Sequence, residues 1–384
     1  MSAVVNADLM ADIRNFGAAD VSACFSCGNC TAICPLADND GTFPRRLIRY
    51  AQVGQVDALL ASRELWTCYH CGVCSDTCPT GADPGGFMAA ARRFAIASYD
   101  RTGLAWTIHT RPRLSALIAV LLAAFFALFM YSFHGPQSTA SLAVFGFVPE
   151  ALIRYLGLAV MALGFLAGLG GVTTMVRAMS RPKSGPSRGP RGSVAKALWA
   201  ALGVESLLQR GYRLDCAQAQ RDTPWYRRRW LAHASTMWGF LGLLLATTVD
   251  WILALLGVKA PGTPVPIWYP TRLLGTVSGL VMLLGVAMFI TDRLRRESQA
   301  ARHSQATDWL FLILLGIVGA SGFAIEVALY LPHPPVWGYW VFLFHVSVAM
   351  ELLLLAPFTK FAHALYRPVA LFFWALAGGS RAGH

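Results

Sequence analysis

VFLFHVSVAMELLLLAPFTKFAHALYRP, residues 341–368, is the stretch from which the rest of the chain can be read. It is apolar over the roughly 20 residues a helix needs to cross the hydrocarbon core of a bilayer. It carries His345 and His363, 18 positions apart. That spacing predicts one continuous helix with both imidazoles on the same face, roughly 27 Å apart, so that one ring lies near each membrane surface. Two such rings call for partners on another helix.

The composition agrees with a membrane setting. Of 384 residues 55% are hydrophobic and 14% charged, and the mean hydropathy is +0.49, too apolar for a soluble protein. Apolar runs at about 113–133, 150–176, 231–256, 271–291, 308–331 and 337–366 predict six spans. The net charge of +12 does not point to nucleic acid, because it is concentrated in loops. Segment 178–230 holds many Arg and Lys, Arg227, Arg228 and Arg229 among them, and 292–307 holds Arg293, Arg295, Arg296 and Arg302. Segments 134–149 and 332–336 have none, and 257–270 has Lys259 alone. The positive-inside rule therefore predicts an inner-membrane protein with both termini and the basic loop in the cytoplasm. No signal peptide is expected, since the N-terminus lacks a basic start followed by an apolar core.

Eight of the nine cysteines fall in two runs, Cys24-x2-Cys27-x2-Cys30-x3-Cys34-Pro35 and Cys68-x2-Cys71-x2-Cys74-x3-Cys78-Pro79. Three closely spaced thiolates wrap one corner of a [4Fe-4S] cube and the fourth ligand comes from the other run. This predicts one cluster on Cys24, Cys27, Cys30 and Cys78, and a second on Cys68, Cys71, Cys74 and Cys34. Two zinc sites are the rival reading, disfavoured by two complete four-cysteine runs each followed by Pro. The helix-prone segment between the runs, with Pro44 suited to a first turn, predicts an all-helical ferredoxin domain. The ninth cysteine, Cys216, reads as a free structural thiol.

The third predicted span opens RRRWLAHASTMWGF, so His233 sits about one turn inside the same surface as His363. Two neutral imidazoles at one depth on different helices suit axial ligation of haem b. His345 lacks such a partner, because the position about ten residues beyond His233 is Leu243. A second haem would need a Met from the fourth span or His134; otherwise His345 serves structure or hydrogen-bonds a quinone. Intramembrane carboxylates are default candidates for proton handling, here Glu351 near mid-membrane and Asp250 and Glu326 near the outer ends. Segment 193–212 reads either as an amphipathic helix on the membrane surface or as a docking helix beneath the ferredoxin domain, joined through the flexible linker RPKSGPSRGPRG.

With these residues in hand, LWTCYHCGVCSDTCPTG resembles the dicluster iron–sulfur subunit of heterodisulfide reductase. The last four spans, above all His345 through APFTKFAHALYRP, resemble the membrane b-type cytochrome subunit of that enzyme and the γ subunit of respiratory nitrate reductase. The γ-subunit pattern carries over onto His233, His345 and His363 and fails at Leu243. The resemblance covers about three quarters of the chain and leaves the first two spans and the basic loop largely outside. It implies an all-α protein: a dicluster ferredoxin domain over 1–100, two additional spans over 101–177, a basic loop over 178–230 and a four-helix haem b domain over 231–384. The expected function is a membrane electron-transfer subunit linking a soluble cytoplasmic partner, a flavoprotein or heterodisulfide-reductase-like protein on a separate chain, through two [4Fe-4S] clusters and haem b to quinone. The alternative is a membrane-anchored ferredoxin without quinone chemistry. A haem-based redox sensor is weakened by the lack of a recognisable output domain.

Overall fold

Helices carry the ordered chain, and among the described residues there is no strand. The computed structural model describes residues 5–18, 21–37, 42–138, 140–180, 193–219, 223–260, 262, 265–296 and 298–378. The N-terminal part winds short helices around one long one, Pro84–Tyr99, which starts where proline's fixed φ suits a first turn and where the Asp83 side chain accepts from the Gly86 N–H. Its core is Phe16, Leu47, Trp66, Phe87 and Phe94. This cluster continues into the membrane helices, taking in Met175, Met179, Leu355, Phe358 and Tyr366. The ferredoxin domain is therefore seated on one end of the bundle and shares its core.

Six helices are long and apolar enough to cross a membrane: Pro112–Tyr131, Glu150–Ser180, Arg229–Leu255, Pro270–Arg295, Ala306–Tyr330 and Trp337–Phe358. The sixth is the central one, with 61% of its apolar window buried against at most 28% in the others. The first, second and fifth spans pack on it, and the fourth joins the fifth to the third. Third and fourth meet at glycines. A Cβ on Gly239 would lie 2.5 Å from the Met282 nitrogen, and one on Gly285 would lie 2.7 Å from the Ala232 carbonyl. Small residues there let the backbones approach closely and fix the helix that carries His233.

The expectation of one continuous helix over 341–368 is corrected. The helix ends at Leu355. Two short 3-10 turns follow, Ala356–Phe358 and Lys360–Ala362, and a new α-helix runs from His363 to Leu376. Pro357 cannot donate the next helical hydrogen bond, and Thr359 is extended, with φ −107° and ψ −171°. His345 and His363 thus belong to different helices, and the straight five-turn register between them does not exist.

The basic region also folds into helices. Val194–Leu198 is α-helical, Trp199–Leu207 is a π-helix and Arg210–Ala219 is α-helical. One side packs along the His363–Leu376 helix, and Glu205 accepts from the Tyr69 hydroxyl at 2.5 Å. Trp199 and Leu202 point outward and are exposed. The segment docks, as one of the two expectations had it, on the His363–Leu376 helix and through Tyr69 on the ferredoxin domain. The linker at 181–192 and the Cys216 side chain lie outside the described residues.

Candidate functional site

The two cysteine runs adopt the same local backbone. Ser26 and His70, each just before the second cysteine of its run, have φ of 65° and 57°; Gly28 and Gly72, just after it, have φ of 90° and 94°. The left-handed glycines turn the chain so that a one-turn helix begins at once, Asn29–Ala32 in the first run and Val73–Asp76 in the second. These two helices pack together, tied by the Asn29 amide donating to the Thr77 carbonyl at 2.5 Å. The fourth cysteine of each run is thereby delivered to the other. Cys24, Cys27, Cys30 and Cys78 line one cavity; Cys34, Cys68, Cys71 and Cys74 line a second.

Among the described residues, no three His, Cys, Asp or Glu side chains close around a point as they would for a single ion. The thiols ring cavities instead, a donor set that fits a cube of iron and sulfide better than zinc. Burial, followed by neighbouring thiolates, pushes the Cys30 and Cys74 thiols above their ordinary range. Deprotonating them together needs the cation they would bind.

His233 and His363 face each other with ring centres 6.1 Å apart and planes at 63°. The Nδ1 of His233 lies 3.1 Å from the Gln209 Oε1, and the Nδ1 of His363 lies 2.6 Å from the Lys360 carbonyl. Each acceptor fixes the proton on Nδ1 and leaves Nε2 as a lone-pair donor. Gly285, packed against Ala232, and the 3-10 turn before His363 bring the two rings together.

His345 is placed differently. Its Nδ1 lies 2.9 Å from the Ser321 hydroxyl on the fifth span, while Leu243 packs with Phe240 and Met282. His134 is exposed and stacks on Tyr131 at 4.2 Å. Asp250 pairs with Lys259 at 2.6 Å and accepts from Thr271; Glu326 accepts from Thr276 at 2.6 Å. Glu351 is 1% exposed and its Oε1 has no hydrogen-bond partner.

Several residues at the site gave no signal in the sequence. Gln209, 4% exposed and at φ 51°, is one. Arg92, Arg229 and Arg367 donate to carbonyls of segment 65–70. Asp308, 2% exposed, holds Arg93 at 2.7 Å and Lys360 at 3.0 Å. His303 bridges Asp83 at 2.6 Å to His70 at 3.3 Å. Burial pushes the Asp83 carboxyl up, but hydrogen bonds from His303, Ser75 and Gly86 outweigh it and hold it at about 2.

The family model described as citrate utilization protein B matches residues 109–383, and one for a 4Fe-4S dicluster domain matches residues 20–82. The chain belongs to the citrate utilization protein B family. That match takes in all six spans and the basic region together. Citrate utilization protein B of Escherichia coli is 29% identical over 191 residues, 49% of this chain and 48% of its own length. The chain thus spans about half the length of that relative. No solved structure matches. The dicluster match assigns the N-terminal region to iron–sulfur electron transfer.

Proposed function

We propose that this member of the citrate utilization protein B family is the membrane electron-transfer subunit of a quinone-linked oxidoreductase. Electrons pass between a soluble partner, two [4Fe-4S] clusters on the eight paired cysteines, haem b on His233 and His363, and quinone. The cofactors supply the redox chemistry; the chain holds them and tunes them.

One observation carries the reading: two imidazoles at 6.1 Å with both Nδ1 atoms occupied. Metal–imidazole bonds of about 2 Å place the ring centres of a bis-His site roughly 6 Å apart. The resemblance to the nitrate reductase γ subunit and to the iron–sulfur and cytochrome subunits of heterodisulfide reductase supports the same assignment. The basic loops support a cytoplasmic ferredoxin domain in the inner membrane, where a flavoprotein or heterodisulfide-reductase-like partner would dock. The relative's name refers to citrate utilization, so a dehydrogenase of citrate-like carboxylates is the first partner to try. Glu351, buried with an orphan oxygen, is the leading proton donor to quinone, ahead of His345, Glu326 and Asp250, each of which has a hydrogen-bond partner.

The test is haem per polypeptide on purified protein by pyridine haemochrome. One haem is expected in the wild type and none in His363→Ala or His233→Ala. Absence of haem from the wild type would instead favour the membrane-anchored ferredoxin, with both histidines as packing residues.

A further inference from the structure

The two thiol cages are not equivalent with respect to the membrane helices. We propose that the loop Cys68–Cys71 is the end of the ferredoxin domain that faces the haem, and that Arg229, Arg367 and the Tyr69–Tyr212 pair are the positioning residues that fix it there. The proposal rests on reading His233 and His363 as haem ligands.

Arg229 precedes His233 by four residues and Arg367 follows His363 by four. Residues four apart share a helix face, so each arginine stands one turn from an imidazole. Arg229 donates to the His70 carbonyl at 2.8 Å. Arg367 donates to the carbonyls of Trp66 at 2.6 Å, Thr67 at 3.3 Å and Cys68 at 3.3 Å, and its guanidinium lies 4.1 Å from the centre of the Tyr69 ring. A planar fork with five donors suits such gripping of several carbonyls; an ammonium does not. Both helices that present an imidazole therefore hold the same stretch, residues 66–70, which leads into and forms most of this loop.

A third connection runs through aromatic rings. Tyr69, directly after Cys68, stacks on Tyr212 at 5.0 Å and 15°. Tyr212 in turn stands edge-on to His233 at 5.4 Å. Packed matter is continuous from a candidate cluster ligand to a candidate haem ligand.

The Cys24–Cys30 loop is held from within its own domain. Arg45 donates to the Ser26 carbonyl, and Gln52 donates to the carbonyls of Val21 and Cys24. Cys27 is exposed and Phe25 is 65% exposed. This is the side open to a soluble redox partner. Electron exchange across the Tyr69 loop makes no bond and moves no proton: one electron leaves the four-iron side and one reaches the haem iron.

The test uses the full-length protein in detergent, with haem and iron contents measured first. In the Arg229→Met/Arg367→Met double variant both contents are expected to match wild type. Stopped-flow reduction of haem by dithionite should slow roughly tenfold, while reduction by duroquinol from the membrane side stays at the wild-type rate. Amides 66–71 should lose protection in hydrogen exchange. Cys71→Ala should slow dithionite reduction as well. An unchanged dithionite rate in either variant with haem bound overturns the proposal, as does equal slowing with both reductants in the double variant. Haem-free wild-type protein would instead sink the haem assignment, and the exchange data would still report whether the arginines hold the loop.

Discussion

The imidazoles of His233 and His363 are each aimed by one acceptor, and only one of these acceptors is a side chain. The Gln209 Oε1 accepts from the His233 Nδ1–H, and the Lys360 main-chain carbonyl accepts from the His363 Nδ1–H. Partners of this kind typically change affinity by about 10–100-fold when removed. Gln209→Leu is expected to lower haem retention by a factor in that range during gel filtration, and Gln209→Glu to retain it, because a carboxylate also accepts. Equal retention in both variants would mean that His233 is held by packing. Glu351 offers a second test at this scale. Its side chain is 1% exposed with an oxygen left without a partner, a costly arrangement that points to function within a membrane. Glu351→Gln keeps the volume and removes the acid. It should leave haem content unchanged and slow haem reduction by duroquinol by roughly 100-fold or more, as loss of a general acid or base does; a wild-type rate would assign Glu351 to packing.

Among the elements, the helix Pro84–Tyr99, the short helix Leu104–Thr110 and the start of the fifth span meet around buried charge. Arg93 and Asp308, 8% and 2% exposed in their side chains, form a pair at 2.7 Å. Breaking a buried pair by removing one partner costs about 3–5 kcal/mol, so Asp308→Asn should loosen the ferredoxin domain from the bundle, read as faster proteolysis of the N-terminal 100 or so residues. His109 lies against the same group, its Nδ1 3.2 Å from the Thr307 hydroxyl, with Arg93, Asp308 and Lys360 facing it. Burial, followed by Arg93, holds its imidazole down to about 3, against an ordinary 6.5. Between those values the unfolded chain binds the extra proton, so this contribution to stability is complete above about pH 6.5 and declines as pH falls toward 3. The midpoint of thermal unfolding should fall with acidification over that window, and less steeply in His109→Gln. None of this charge cluster was legible in the sequence. The six spans and both cysteine runs were, because hydropathy and ligand spacing are local patterns. So was the pairing of His233 with His363, which the structure brings to 6.1 Å, although the residue count behind it assumed a helix unbroken through Pro357. The break at 355–363 had a visible signal in Pro357 that a uniform apolar run outweighed. Gln209, Arg229, Arg367 and Asp308 act across 24 to 301 positions of chain, and a polar residue beside a basic loop gives no sign of which distant carbonyl it meets.

For the whole molecule, the decisive feature is that, among the described residues, the imidazole pair stands at one end of the bundle. At the other depth His345 leans on Ser321, and the position that would oppose it is Leu243, packed with Met282 and Phe240. On the proposed function, electrons arriving through the ferredoxin domain would be handed to quinone near the side from which they came. If the protons that complete quinol are drawn from that side as well, through Glu351, no net charge crosses the bilayer. In proteoliposomes with the ferredoxin domain outward, dithionite-driven reduction of a soluble quinone should proceed with little response from a voltage-sensitive dye, and an uncoupler should leave the rate unchanged. Strong charging during turnover would require a second carrier near His345 with a ligand other than Leu243, and haem content would then come out at two per chain. The two measurements bear on each other: a single haem with no charging makes the bundle a one-sided device, built to move electrons from a soluble enzyme into the membrane rather than across it.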